Sequence, residues 1–92
     1  MINQVIKKDG SQEPFNPEKI KNSIRTSSKD AGLDEAKQNE LAETISQKVI
    51  ESIGDKDVVT ALEIKEKVLA ELDLIAPSAA TAWRNFEASK GQ

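Results

Sequence analysis

The chain has 92 residues, of which 37% are hydrophobic and 32% charged, and its formal net charge at pH 7 is −3. A chain of this length has room for one small core, so a single domain over residues 1–92 is expected. The absence of cysteine and histidine excludes disulfides, thiolate metal sites and imidazole bases. The acidic balance argues against a general attraction to nucleic acid or to an anionic membrane. With no long apolar run and no signal-like start, we expect a cytoplasmic protein without a membrane span.

The first predicted element is a short hairpin. Val5 and Ile6 are β-branched and favour a strand. Asp9-Gly10 is typical of a hairpin turn, because glycine accepts the positive φ that such turns need. Residues 12–15 are predicted to form the return strand, and the proline within them is typical of an edge strand.

Four helices are predicted after the hairpin, from apolar residues at helical spacing, from a capping residue at the start of the first three and from the proline at the start of the fourth. They run from Pro17 to about Ala31, from Asp34 to Gly54, from Thr60 to about Asp73, and from Pro77 to about Ser89. Asn16 is the expected cap of the first helix. In the third, a capping box is predicted in which Thr60 caps and Glu63 reaches back.

Three shorter segments complete the prediction. Residues 57–59 are expected to form an extended link or a third strand, and residues 74–77 a kink before proline. Trp83 and Phe86 are three residues apart, which favours a shared face in the core. An aromatic platform for a nucleobase is kept as the alternative for this pair.

No arrangement of residues is typical of catalysis. Without histidine or cysteine the usual nucleophile–base pairs are missing, and the acidic residues are interspersed with lysines as on a solvated surface. Lys7 and Lys8 precede one glycine and not a glycine-rich phosphate loop. The chain is therefore not expected to be an enzyme. Taken by themselves, the two lysines favour a charged edge strand that deters aggregation.

Three motifs, in this order, nevertheless resemble the ATP-cone family. They are Val5-Ile6-Lys7-Lys8-Asp9-Gly10 with the Glu13 to Ile20 segment that follows, Val58 to Ile64, and Ala82 to Phe86. ATP-cones are small regulatory domains at the N-terminus of many ribonucleotide reductases, and they also occur in the repressors of the reductase genes. The resemblance covers about residues 3 to 90. Lys8 stands where arginine is usual, and Trp83 stands where tyrosine or a similar residue is usual.

The resemblance implies an α+β fold, mainly α, in which a small hairpin or three-stranded sheet roofs a four-helix body. The nucleotide is then expected between roof and helices. By position, the implied phosphate-binding residues are Lys7, Lys8, Thr60 and Lys90. The implied base- and ribose-binding residues are Val5, Glu13, Asn16, Lys19 and Ile20.

The implied ligand is ATP or dATP with Mg²⁺, bound as a signal and not hydrolysed. The implied response is a change of oligomeric state or of contacts with a ribonucleotide reductase or another regulated protein, while nucleic acid is an unlikely partner. Because neither a reductase body nor a four-cysteine ribbon is present, we expect a free-standing or excised domain. Two alternatives stay open, a helical protein-interaction module and a nucleic-acid-binding regulator of the repressor branch.

Overall fold

The structure is a computed structural model that describes residues 2–90, apart from the side chain of Lys90. Within that part, a three-stranded sheet is combined with four helices. The strands are β1 (Gln4–Ile6), β2 (Gln12–Pro14) and β3 (Val58–Thr60), and the helices are α1 (Pro17–Asp30), α2 (Glu35–Ile53), α3 (Ala61–Ile75) and α4 (Pro77–Lys90). The predicted α+β, mainly α, fold is confirmed.

The sheet has the strand order β2-β1-β3. β1 and β2 are antiparallel, with Val5 opposite Glu13, whereas β1 and β3 are parallel, with Val5 opposite Val59. Parallel strands need a long crossover, which the chain provides through β2, α1 and α2. The predicted third strand therefore exists. Residues opposite each other in a ladder share a face, and the burial of Val5 and Val59 shows that this face lies on the helices.

The hairpin turn spans Lys7 to Ser11. The Lys7 amide donates to the Ser11 carbonyl at 2.7 Å, and the Gly10 amide donates to the Lys7 carbonyl at 2.9 Å. Gly10 has φ of 89°, as the turn requires. Asp9 Oδ1 accepts hydrogen bonds from the Ser11 amide at 2.9 Å and from its hydroxyl at 2.6 Å. These bonds hold the pKa of Asp9 below its usual value and fix the turn.

The helices form a body beneath the sheet. α1 packs against α2 and α4, and α3 packs against α2 and α4. The buried core residues are Ile2, Val5, Ile20, Ile24, Leu41, Ala42, Ile45, Val49, Ile53, Val59, Val68, Leu72, Ala76, Ala79, Ala80 and Trp83. None of the described helices is long and apolar enough to cross a membrane.

The predicted helix starts are confirmed. Asn16 Oδ1 accepts from the Glu18 amide at 3.0 Å, Asp34 Oδ1 from the Lys37 amide at 2.8 Å, and Thr60 Oγ1 from the Glu63 amide at 3.1 Å. The capping box is only half formed among the described residues, since the Glu63 carboxylate pairs with Lys56 Nζ at 2.8 Å. An ion pair thus takes the place of the expected return contact.

Two expectations about the C-terminal half were wrong in detail. α3 continues to Ile75, beyond the predicted end at Asp73, because only the residue before Pro77 is forced out of the helical region. Phe86 is 54% exposed, while Trp83 is buried. Residues three apart on a helix point about 60° away from each other. Trp83 therefore continues the buried stripe of Ala79 and Ala80, and Phe86 lies outside it.

An ion pair joins the last two helices. Arg84 Nη1 and Nη2 donate to the two carboxylate oxygens of Asp73 at 2.9 and 2.7 Å. This paired, two-bond geometry is the most directional form that an arginine–carboxylate contact takes. It fixes α4 against the end of α3, even though both side chains are about half exposed.

A matched pair of leucines in α3 tests the position of the core. Leu72 is 0% exposed and Leu74 is 80% exposed. Leu72→Ala is expected to lower the free energy of unfolding by about 2–5 kcal/mol, because it leaves a cavity. Leu74→Ala should change it by less than about 0.5 kcal/mol. Urea denaturation followed by tryptophan fluorescence measures both, and equal losses would contradict this packing.

The Asp73–Arg84 pair gives a pH dependence of defined sign. Hydrogen bonds from Arg84 lower the pKa of Asp73 below its ordinary value of 3.8. A carboxyl whose pKa is lower in the folded state stabilises the fold above that ordinary value and stops doing so as pH falls through the lowered one. The melting temperature should therefore fall less on acidification in Asp73→Asn than in the unmodified chain. An identical fall between pH 6 and pH 3 would show that the pair has no influence on stability.

Candidate nucleotide site

The parallel pairing of β1 and β3 brings two of the implied phosphate-binding elements to one edge of the sheet. Ile6 lies opposite Thr60, so Lys7 leaves β1 where α3 begins. The first amides of a helix lack partners within the helix, and the helix dipole is positive at this end. Thr60 caps only one of these amides, that of Glu63. An anion is therefore favoured at this edge.

An open cleft lies at the same strand end. It has a volume of about 420 Å³ and is lined by Ile6, Lys56, Val58, Val59, Thr60, Leu62, Glu63 and Glu66. Of the implied ligand residues that the structure describes, only Thr60 lines this cleft, and Glu63 and Glu66 give it an acidic side. Since β3 is the outer strand of the sheet, the cleft faces outward beside the start of α3.

A cluster of three charged side chains occupies the helix-facing side of the hairpin. Glu13 Oε2 lies 3.1 Å from Lys19 Nζ and 3.6 Å from Lys7 Nζ. The hydrogen bond from Lys19 is the main reason that the pKa of Glu13 lies below its usual value, with the charge of Lys7 adding to the effect. One carboxylate oxygen is thus shared by two ammonium groups that come from different elements.

The structure thereby joins residues that the resemblance assigns to different ends of the ligand. Lys7 is implied for the phosphates, while Glu13 and Lys19 are implied for the adenosine. All three lie within ion-pair distance of a single oxygen atom. Residues that the resemblance implies for the phosphate end and for the adenosine end therefore meet at Glu13.

The other implied residues lie around this cluster. Asn16 caps α1 through its side-chain oxygen. Val5 and Ile20 are buried in the core, below the hairpin, so they form the floor of the site more than its open wall. Lys8 is exposed in the turn. The side chain of Lys90 lies outside the described part of the chain.

Sequence reasoning missed the pairing of Glu13 with the two lysines, although a signal for it was present. In an antiparallel hairpin with Val5 opposite Glu13, Lys7 lies two residues after Val5, just past the end of β1, and therefore points to that same face. Diagonal neighbours of this kind are within reach of long side chains. The position of Lys19 was not readable in the same way, because it depends on how α1 packs beneath the sheet.

The described residues include no group of three or more acidic side chains that could hold a metal ion.

Comparison with known proteins gives relatives of one kind. The chain is 32% identical over 89 residues to the transcriptional repressor NrdR 3 of Paramagnetospirillum magneticum, which covers 94% of this chain and 58% of the relative. It is 38% identical over 73 residues to the transcriptional repressor NrdR of Persephonella marina, which covers 79% of this chain and 47% of the relative. The chain thus spans about half the length of the curated relatives it matches.

The match to a protein family is more complete. Residues 3–88 match the ATP cone domain, which includes the hairpin, the four-helix body and the charged cluster around Glu13. The resemblance seen in the three sequence motifs is thereby confirmed, and this chain belongs to the ATP-cone domain family of nucleotide-binding regulatory modules.

Proposed function

We propose that this domain binds ATP or dATP and signals which of them is present by changing its contacts with a partner protein or with another copy of itself. Membership in the ATP-cone family over residues 3–88 carries the proposal. The meeting of Lys7 with the start of α3 at one sheet edge supports it, because both favour an anion.

At the phosphate end, the residues proposed to bind the nucleotide are Lys7, Lys8, Thr60 and Lys90. Lysine ammonium groups are compact, mobile charges that suit phosphate oxygens. Lys8 is positioned by the turn that follows β1, and Thr60 stands at the N-terminus of α3. The phosphates would lie where both reach the same sheet edge.

At the adenosine end, the residues proposed to bind the nucleotide are Val5, Glu13, Asn16, Lys19 and Ile20. Carboxylate and amide side chains form hydrogen bonds to the edge of a purine and to ribose hydroxyls. The two aliphatic residues supply apolar contact below the ring. This end is adjacent to the phosphate end because Glu13 touches Lys7.

Nucleotide binding is proposed to act as a signal without hydrolysis. The sequence has no histidine or cysteine to act as a base, and the described residues include no group of three or more acidic side chains that could hold a metal ion. Magnesium is proposed to arrive with the phosphates. The domain is thus assigned a regulatory and not an enzymatic role.

The regulated partner has two candidates. One is a ribonucleotide reductase, as in the reductase branch of the family. The other is the remainder of a transcriptional repressor. The comparisons favour this second candidate, since both relatives described above are transcriptional repressors. In that reading the chain is the nucleotide-sensing part of a cytoplasmic repressor, and DNA is a partner of the assembly. The net charge of −3 supports a DNA contact outside this domain.

The remaining alternative to a nucleotide-sensing domain is a purely helical protein-interaction module. A test of nucleotide binding distinguishes these two functions. At a hundredfold excess over Kd, a bound nucleotide stabilises the fold by roughly 2.7 kcal/mol. For a domain of this size the melting temperature should rise by about 10–20 °C with ATP or dATP. Differential scanning fluorimetry measures the shift.

Chromatography of the recovered nucleotide should show no ADP formation above a protein-free control.

The control for this experiment is GTP at the same concentration, which should shift the melting temperature less. The absence of a shift with millimolar ATP and dATP would rule out the nucleotide-binding function. It would leave the interaction module as the better reading.

Variants test the two ends of the site. Lys7→Ala and Lys8→Ala should each weaken ATP binding by about 10- to 100-fold, because each removes a charge-assisted contact of about 1.5–3 kcal/mol. They should not weaken adenosine binding, because adenosine has no phosphates. Glu13→Ala should weaken adenosine binding and reduce the preference for ATP over GTP. Isothermal titration calorimetry with adenosine, ATP and GTP measures all three effects.

Lys48→Ala is the matched control, since Lys48 is as exposed as Lys7 and pairs with Glu71 on the helical body. Its affinities should equal those of the unmodified chain. If Lys7→Ala and Lys48→Ala behave alike while ATP still binds, the phosphates lie elsewhere on the domain.

A further inference from the structure

The charge arrangement around Glu13 is unusual for a site that is meant to hold phosphates. Lys7 comes from the end of β1 and Lys19 from the first turns of α1, yet both ammonium groups approach the same atom, Glu13 Oε2. The Glu13 side chain is only 26% exposed, compared with 52% and 63% for the two lysines. The carboxylate is therefore more buried than the two ammonium groups that contact it.

A carboxylate in this position resembles a bound anion. Each ammonium group has three donors, and a single carboxylate oxygen accepts only part of them. Two positive charges face one negative charge, so the cluster retains a net positive charge. A polyphosphate offers several anionic oxygens and more than one negative charge, which satisfies both lysines better than Glu13 does.

We infer that Glu13 is an internal competitor for phosphate: it occupies the position between Lys7 and Lys19 in the empty domain and is displaced when a polyphosphate binds there. This inference rests on the proposed nucleotide-binding function and assigns Lys19 to the phosphates, in addition to Lys7. Displacement frees the Glu13 carboxylate to accept hydrogen bonds from the nucleoside that follows the phosphates.

The exchange links the two ends of the ligand. Adenosine alone must compete with two ammonium groups for Glu13, whereas a triphosphate first removes those partners. Linkage of this kind is reciprocal, so each part of the nucleotide strengthens the binding of the other. Glu13 thereby makes recognition of the nucleoside depend on the presence of the phosphates.

Inorganic tripolyphosphate is the probe that isolates the phosphate half of this exchange. Glu13→Gln keeps the shape of the side chain and removes its charge. Glu13→Gln removes two exposed ion pairs, so it should bind tripolyphosphate about 3- to 10-fold more tightly than the unmodified chain, which lies within the range that two such pairs allow. Calorimetry in EDTA at low ionic strength measures this, and the difference should shrink as salt is added.

Glu71→Gln is the matched control. It makes the same change in net charge and also removes one partner of an ion pair, with Lys48, at a side chain of similar exposure, 30%. Glu71 lies eleven residues beyond Thr60, roughly 16 Å along α3. Its affinity for tripolyphosphate should stay within about twofold of the unmodified chain.

A second measurement needs no substitution. The pKa of the Glu13 carboxyl, followed by carbon NMR, should lie below the ordinary glutamate value in the empty domain, because Lys19 and Lys7 stabilise its charged form. Saturation with tripolyphosphate should raise it, since the anion takes both lysines away.

The outcomes separate this inference from the proposed function. Tighter tripolyphosphate binding by Glu13→Gln but not by Glu71→Gln supports the role of Glu13 as a competitor for phosphate. Unchanged or weaker binding by Glu13→Gln, an unmoved Glu13 pKa, or no tripolyphosphate binding at all overturns it, while ATP binding by the unmodified chain still upholds the nucleotide module. If ATP and dATP also fail to bind, the proposed function falls with it.

Discussion

The parallel pairing of β1 with β3 is the contact on which the site depends. It joins the start of the chain to a strand more than fifty residues later, and it is extended by bonds from the Asn3 and Gln4 amides to the Asp57 carbonyl at 2.7 and 3.1 Å. Without it, the hairpin would be a two-stranded element of marginal stability. With it, the end of β1 and the start of α3 share an edge, and the buried valines of both strands seal that edge to the core.

Local charge, and not overall charge, favours an anion at the proposed site. Its net charge of −3 disfavours a nucleotide at long range, but salt screens such interactions beyond about 8 Å at physiological ionic strength. Within that distance, the lysines of the hairpin and the amides of α3 dominate. The shared contact with Glu13 holds Lys7 of the hairpin and Lys19 of α1 close together. Both ammonium groups are thereby paired and lie near the proposed phosphate position.

Much of the fold could be predicted from the sequence because its boundaries are marked by local chemistry. Asn16, Asp34 and Thr60 cap their helices where side-chain preference places them, and Gly10 sits in the turn that needs its positive φ. The failures concern tertiary packing. Phe86 has the helical spacing that is typical of core residues. However, the way α4 packs in the helical body decides that Trp83 is covered and Phe86 is not, and local spacing does not show this. The ion pair of Lys19 with Glu13 is non-local in the same sense.

The geometry also limits where ATP and dATP can be told apart. The two nucleotides differ only at the ribose 2′-hydroxyl, so lysines that hold phosphates treat them alike. Discrimination has to come from a group that reaches the sugar, and a site that pairs a hydroxyl rejects a ligand that lacks it far better than an apolar site does. Glu13 is the one member of the charged cluster that accepts hydrogen bonds. A carboxylate that is released by the phosphates, and only then reaches the sugar, would read the nucleoside after the triphosphate has been recognised.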